Sequence, residues 1–430
     1  MNWTPATTDE QQAMLSALGL ASTDAFFDAI PPDLRMKDWT VPADGQSEQT
    51  LRQSLALLAG ENRTSAISFL GGGYYEHYIP AAVDALAGRS EFYTAYTPYQ
   101  PECAQGTLQA IYEYQSAVCR LADMECANAS LYDGGTAVYE AAAMACRITR
   151  RSRVVIHPSV NPVWKEMLAT HTDGSVLEME IAEYPLDDSA CLIVQNPSFL
   201  GDVQDFSDLA EACHAQETLL IVAFNPVSLG ILKTPGAMGA DIALAEGQSL
   251  GLPLGFGGPY LGILTAKKKH IRKMPGRIAA ATTDDAGRRG FVLTLQAREQ
   301  HIRREKALSN ICSNQALCAL RTLIHLCLMG KAGIEATARA CHSKAEYLKK
   351  QLDFLPLLNE HPTFNEFAVR LPRPAREVIE ALQPRGFLPG IPLHELGMGE
   401  PGDLLIAVTE MRSREELDAF AAAMKECCHG

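Results

Sequence analysis

The stretch Ala245–Pro259, AEGQSLGLPLGFGGP, is placed where chemistry would be expected and lacks the residue that would start it. It follows a strand-like run, Gly239 to Ala245. After Ser249 it carries Gly251, Gly255, Gly257 and Gly258, together with Pro253. In an α/β enzyme, a polar turn after such a strand lies where ligands bind. A pyridoxal-phosphate (PLP) enzyme would need a lysine here for its Schiff base. The chain has Gln248 and Ser249 instead. A carboxamide has no basic nitrogen and cannot make that bond.

A second part is also missing. The strand-like run Leu219–Phe224 should end in an aspartate if it faced a pyridine nitrogen. No carboxylate lies between Thr218 and Asn225. A third feature is present: Asp133-Gly134-Gly135-Thr136 leads into an Ala-rich helix, Ala137 to Ile148. A glycine turn with a hydroxyl at a helix start is ready for an anion, and it is also an ordinary helix cap.

The segment RSEFYTAYTPYQPE, Arg89 to Glu102, carries Tyr93, Tyr96 and Tyr99 at three-residue spacing beside Phe92. Its two prolines exclude a continuous helix or a central strand. Aromatic rings with hydroxyl tips suit a site wall that is apolar yet hydrogen-bonds, or a packed interface loop without a ligand. The densest basic run, KKKHIRK at Lys267–Lys273, reads as a solvated helix face or as a docking patch for an acidic partner.

The elements that must position these residues alternate between strand and helix from Arg153 onward. Strands are expected at Val154–His157, Cys191–Gln195, Leu219–Phe224, Asp241–Ala245 and Tyr260–Thr265. Helices are expected at Asn161–His171 and Ser207–Ala215. This rhythm implies a mostly parallel sheet with helices on both faces, an α/β fold. Its ligand-facing ends would be His157, Gln195 to Ser198, and Asn225. Three domains are expected: a helical arm at 1–68, a large domain at 69–332 and a small α+β domain at 333–430. A strand at Phe291–Leu295, a charge-dense stretch with Arg298, His301, Arg303, Arg304 and Lys306, and a long helix continuing through Ile311–Leu328 would lead out of the large domain. The stretch Gly386–Gly402 is expected to be a surface loop.

Composition narrows the class. The net charge of −14 argues against a general nucleic-acid binder and leaves small polar substrates and protein partners. No apolar run approaches the roughly 20 residues that span a bilayer. The start, MNWTPATTDE, lacks a signal-peptide pattern, so a cytoplasmic chain is expected, with no membrane partner. Twelve cysteines over 430 residues read as reduced thiols, with Cys427 and Cys428 as an exposed pair at the tail. No metal-ligand spacing is found, and His394-Glu395 begins like H-E-x-x-H and then fails, so no metal is expected.

Several longer strings carry a resemblance. YTAYTPYQPE (Tyr93–Glu102), ECANASLYDGGTA (Glu125–Ala137), GFGGPYLG (Gly255–Gly262), MPGRI (Met274–Ile278) and LTLQAREQHIRREKALSNICSNQAL (Leu293–Leu317) resemble the glycine cleavage system P-protein family, in the subunit 1 form found where that protein is split in two. The resemblance implies PLP-dependent transferase fold type I, with a seven-stranded type of sheet and a small C-terminal α+β domain. It places Gln248 at the Schiff-base lysine of the homologous subunit 2, and Ser249 at the threonine that follows. It implies an α2β2 assembly with the active site at the subunit interface. PLP would be held by the partner, with no cofactor-binding residue expected in this chain. Glycine would lose CO2 there, and its aminomethyl group would pass to the lipoyl arm of H-protein. Tyr93, Tyr96, Thr97, Tyr99 and Gln100 are the candidate contributors to that shared site. Two alternatives stand beside this reading: a structural or regulatory subunit with no residue in the site, and a self-sufficient PLP enzyme using another lysine such as Lys233.

Overall fold

The computed structural model describes residues 6–36, 45–62 and 64–429. Met1–Pro5 of the N-terminal stretch MNWTPATTDE, and residues 37–44 and 63 of the expected N-terminal arm, lie outside the described residues. The chain divides into two compact units, Met1–Thr64 and Ser65–Gly430. The first holds the helices Thr8–Ala17 and Glu48–Gly60 and two short 3-10 turns. Thr7 and Glu10 cap the first helix reciprocally. Leu51, Leu55 and Leu58 form the helical stripe expected from sequence, and all three are exposed.

The larger unit is built on a seven-stranded sheet. Strands are numbered in chain order, beginning with β1 (Ile67–Ser68), which lies outside that sheet. The sheet comprises β2 (Cys126–Ala127), β3 (Arg153–Ile156), β4 (Glu178–Ile181), β5 (Ser189–Asn196), β6 (Leu219–Phe224), β7 (Ile242–Glu246) and β8 (Gly262–Ala266), in the spatial order 2-8-7-6-5-3-4. Pairing is parallel from β4 through β7, while β8 runs antiparallel to both neighbours. Strands β5, β6 and β7 are continuous apolar runs because both faces of the sheet are covered. Side chains alternate between two cores. Leu192, Val194, Leu220 and Val222 face a core with the helices Gln105–Ala122 and Ala316–Gln351. Cys191, Ile193, Ile221 and Ala223 face another with the helices Gly134–Thr149 and Pro162–Thr172.

Beyond the sheet, β9 (Ile278–Thr283) and β10 (Arg289–Thr294) form an antiparallel hairpin. The C-terminal part packs β11 (Glu366–Arg370), β13 (Ile391–Pro392) and β14 (Asp403–Ala407) in the order 11-14-13, with β12 (Phe387–Leu388) paired to β1. The helices Ala375–Leu382 and Arg414–His429 contribute to the core on this sheet.

The structure corrects several expectations. Gly386–Gly402 contains β12 and β13 and is no plain loop, because the polar Gly-Pro composition hides two short pairings. The charge-dense stretch forms short turns, and the long helix begins only at Ala316. That helix continues to Gln351, past the expected break, but Gly330 (φ 57°, ψ −172°) interrupts its geometry. It is long and apolar enough to cross a membrane by length and composition alone. Its Cys318, Ala319, Leu323 and Ala338 pack into the core on the sheet. Cys427 is buried in the C-terminal core, so the tail cysteines are not an exposed pair. In the basic run, Lys267 and Lys269 pair with the buried Asp241 at 3.0 and 3.5 Å, so the run is only partly a solvated face.

Candidate functional site

The C-terminal end of β7 delivers Glu246, and the turn after it delivers Gln248. Gln248 is 1% exposed, and its amide is fully engaged with backbone. Its Oε1 accepts from the Tyr75 N–H at 2.8 Å. Its Nε2 donates to the Tyr75 carbonyl at 3.0 Å and to the Leu252 carbonyl at 2.8 Å. The side chain thus reproduces the two-way exchange of a β-ladder and ties the Gly71–Tyr78 segment to the turn.

Glu246 is held in place by three backbone donors. Oε2 accepts from Gly134 at 2.9 Å, and Oε1 from Gln248 at 3.0 Å and Leu261 at 3.2 Å. Gly134 begins the Gly134–Thr149 helix, so an internal carboxylate sits on the helix N-terminus that the sequence marks as anion-ready. Asp133 caps the same turn, accepting from Thr136 N–H at 2.7 Å. Burial raises the Glu246 carboxyl to about 7, against the three donors that favour its charge. The turn is also covered from above. A Cβ at Gly134 would lie 2.7 Å from the Trp164 ring, and one at Gly135 would strike the Met167 sulfur.

At the ends of β5 and β6, Gln195, Pro197, Ser198, Phe224 and Asn225 line a cleft with Trp164, Glu246 and Ser249. The Asn225 Oδ1 accepts from Val227 and Ser228 N–H at 3.0 and 3.3 Å. The Tyr75 hydroxyl donates to the fully buried Glu366, which also accepts from Gly72 at 2.6 Å. Burial raises Glu366 to about 7. The free space left in the cleft is about 30 Å³, enough for a water or two. His157 stands apart, edge-on to Phe206 at 5.6 Å, with Nδ1 accepting from Ser159 N–H at 3.1 Å. Lys233 is on the surface, bound to Asp205 and Ser207 at 2.8 and 2.6 Å.

The aromatic loop lies elsewhere. Tyr93, Tyr96 and Thr97 line a separate cavity of about 210 Å³ with Thr107, Ile111 and Asn314. Tyr99 and Gln100 do not line it. Tyr99 instead accepts from the buried Arg277 Nη2 at 3.0 Å, and the same nitrogen donates to the Cys312 carbonyl at 2.7 Å. Arg277 therefore fastens the loop to the Cys312–Asn314 segment. The Tyr96 ring is 83% exposed.

A family model described as glycine cleavage system P-protein matches residues 1–424. A probable glycine dehydrogenase (decarboxylating) subunit 1 of Geotalea uraniireducens is 52% identical, with 99% of each chain covered. The same-named protein of Nitratidesulfovibrio vulgaris is 51% identical, with 98% of each covered. The chain belongs to the glycine cleavage system P-protein family. Among solved structures, an inhibitor-bound glycine decarboxylase (P-protein) of the glycine cleavage system superposes with a TM-score of 0.91 at 40% identity, covering 99% of this chain and all of the other. A cysteine desulfurase from Thermococcus onnurineus, at 14% identity and TM-score 0.62, shares the fold alone. The fold is that of the PLP-dependent fold type I enzymes, as the motifs implied.

That fold implies PLP, and the strand-end cleft of this P-protein-family chain does not fit it. Position 248 is a glutamine, no carboxylate ends β6, Glu246 takes a helix N-terminal donor, and about 30 Å³ remains in that cleft. The identities of Gln248 and Asn225 were visible in the sequence. The roles of Glu246, Tyr75 and Arg277 were not, because each acts on a partner more than 100 residues away. For Arg277, the MPGRI string was the one available signal.

Proposed function

We propose that this chain is subunit 1 of a two-subunit glycine decarboxylase of the glycine cleavage system. The carrying observation is that position 248 holds a buried glutamine clamped to the Tyr75 and Leu252 backbone, beside a strand-end cleft lined by Glu246 with about 30 Å³ of free space. A chain of a PLP-enzyme family that has filled its own cofactor position needs a second subunit that has not. In this reading the partner, subunit 2, holds PLP, and the two form an α2β2 assembly that removes CO2 from glycine and passes the aminomethyl group to the lipoyl arm of H-protein.

This chain's contribution would come from its surface. Tyr93, Tyr96 and Thr97 present hydroxyls at an accessible cavity, and Arg277 holds the Tyr99 side of the loop rigid. Aromatic rings there would exclude water from the shared site while their hydroxyls orient polar groups. Phe256, fully exposed at the tip of the Gly255–Gly258 loop, supports the presence of a partner surface nearby.

The test is glycine–CO2 exchange with added PLP and H-protein, for this chain alone and mixed with a subunit 2 chain. Exchange is expected only in the mixture, and exchange by the isolated chain would overturn the proposal. Tyr96→Phe with Tyr99→Phe in the mixture is expected to lower exchange by at least tenfold. Unchanged exchange would leave the loop a structural part of the interface.

A further inference from the structure

Three side chains far apart in the sequence converge behind the Gln248 turn. His77 lies near the end of the segment that Gln248 clamps, Cys341 lies on the second half of the long helix, and Glu410 follows β14. The His77 Nδ1 and Glu410 Oε2 are 2.7 Å apart. The Cys341 Sγ is 3.3 Å from the same oxygen. One ligand atom from each residue falls within 4.8 Å of the other two. The second carboxylate oxygen accepts from Tyr78 N–H at 2.7 Å, which fixes the orientation of Glu410.

The surroundings point to a ligand. The His77 side chain is only 5% exposed, and its Nε2 has no hydrogen-bond partner among the described residues. A cavity of about 390 Å³ is lined by His77 and Glu410, though not by Cys341, together with Ser249, His325 and Met329. His325 is 4% exposed, and its Nδ1 is likewise without a partner. The hydrogen-bonded trio satisfies Glu410 and engages His77 through Nδ1, while His77 Nε2, on the other side of the ring, and His325 Nδ1 are buried without partners among the described residues. Buried polar atoms are seldom left so. A thiol, an imidazole and a carboxylate are together the donor set of zinc, with bond lengths of roughly 2.0–2.3 Å. Tetrahedral ligation at those lengths separates neighbouring ligand atoms by roughly 3.3–3.7 Å, so the 2.7 Å His77–Glu410 pair would open around the ion.

We propose that His77, Cys341 and Glu410 form a binding site for a divalent cation of the zinc class, with its remaining position open to the cavity beside His325. On binding, the Cys341 thiol releases its proton to solvent, the His77 ring proton passes from Nδ1 to Nε2, and the sulfur–metal and nitrogen–metal bonds form. The ion replaces the His77–Glu410 hydrogen bond, and no electron transfer is involved. It would join the clamped segment, the long helix and the C-terminal sheet at one point. No sequence motif marks the site, because its ligands are separated by 333 and 69 positions.

The test uses the full chain, stripped by a chelator and titrated with Zn2+ and, separately, with Co2+. One Zn2+ per chain is expected by elemental analysis, together with a thiolate-to-cobalt charge-transfer band for Co2+. Cys341→Ser should abolish the band and weaken Zn2+ binding by about 100-fold or more, since even outer-shell changes cost about 10–100-fold. Replacing both Cys427 and Cys428 with serine should change neither readout. The proposal is overturned if the wild-type chain gives no thiolate band with Co2+. That readout holds even if the serine variant fails to fold. It is also overturned if a folded Cys341→Ser chain keeps its Zn2+ at full stoichiometry and affinity.

Discussion

Replacing Gln248 with leucine should destabilise the larger unit substantially while leaving side-chain volume nearly unchanged. The amide serves three buried backbone groups: the Tyr75 N–H at 2.8 Å, the Tyr75 carbonyl at 3.0 Å and the Leu252 carbonyl at 2.8 Å. Leucine serves none of them. Each stranded group costs about 1–3 kcal/mol, with carbonyls at the low end of that range. The added apolar burial of leucine returns about 1 kcal/mol. The net expectation is a loss of about 2–5 kcal/mol, a large part of the roughly 5–15 kcal/mol that holds a typical domain folded. Urea denaturation followed by circular dichroism measures the loss, and hydrogen exchange at the Tyr75 amide locates it. A shift below about 1 kcal/mol, with Tyr75 still protected, would refute the clamp. Gln248→Lys tests the same geometry from the side of chemistry. An ammonium can donate to the two carbonyls but cannot accept from Tyr75, and the cleft beside it has about 30 Å³ of space. Added PLP should give no imine absorbance, and an imine that resists dialysis would show that the closed cleft opens.

Two further outcomes follow from the same geometry. Burial holds Glu246 at about 7 against an ordinary 4.5, so the folded chain keeps a proton that the unfolded chain releases between those values. Stability from this group is therefore complete below pH 4.5 and is lost as pH rises through 7, an effect on the order of 3 kcal/mol. Glu366, also held near 7, acts in the same direction, while His325, lowered by burial to about 4, acts in the opposite one, so Glu246→Gln should remove on the order of 3 kcal/mol of pH-dependent loss in a urea series from pH 4.5 to 7.5, and an unchanged pH profile would count against the assignment. Phe256→Ala should leave the isolated chain within about 0.5 kcal/mol of wild type, because the ring is fully exposed. It should weaken association with subunit 2 by at least about tenfold, the equivalent of losing roughly 1.5–3 kcal/mol of phenylalanine burial. Sedimentation of the mixed subunits measures this, and unaltered association would place the loop away from the interface.

The central sheet was legible in the sequence because buried parallel strands are short apolar runs bounded by turn residues. Leu219–Phe224 and Ser207–Ala215 were found with their observed limits. The hairpin strand Arg289–Thr294 was found as Phe291–Leu295, but its partner Ile278–Thr283 and the edge strand Glu178–Ile181 were not. Glu178–Ile181 is polar and mostly exposed, and Ile278–Thr283 begins in small residues and ends in exposed ones, so neither carries a core signal. Gly330 stands between two stretches of helical spacing, and its backbone geometry, unlike its identity, depends on what both halves pack against.

The sequence by itself determined that this P-protein-family chain carries glutamine at position 248 and no carboxylate between Thr218 and Asn225, because residue identity sets which atoms are present. Only the tertiary structure decided what replaces them. Gln248 became a backbone clamp because Tyr75, 173 positions away, presents both a donor and an acceptor to it. Glu246 reached the start of the Gly134–Thr149 helix because β7 ends beside it. The meeting of His77, Cys341 and Glu410 likewise exists only after folding, since hydrogen bonding and metal ligation depend on distance in space, which sequence separation does not encode.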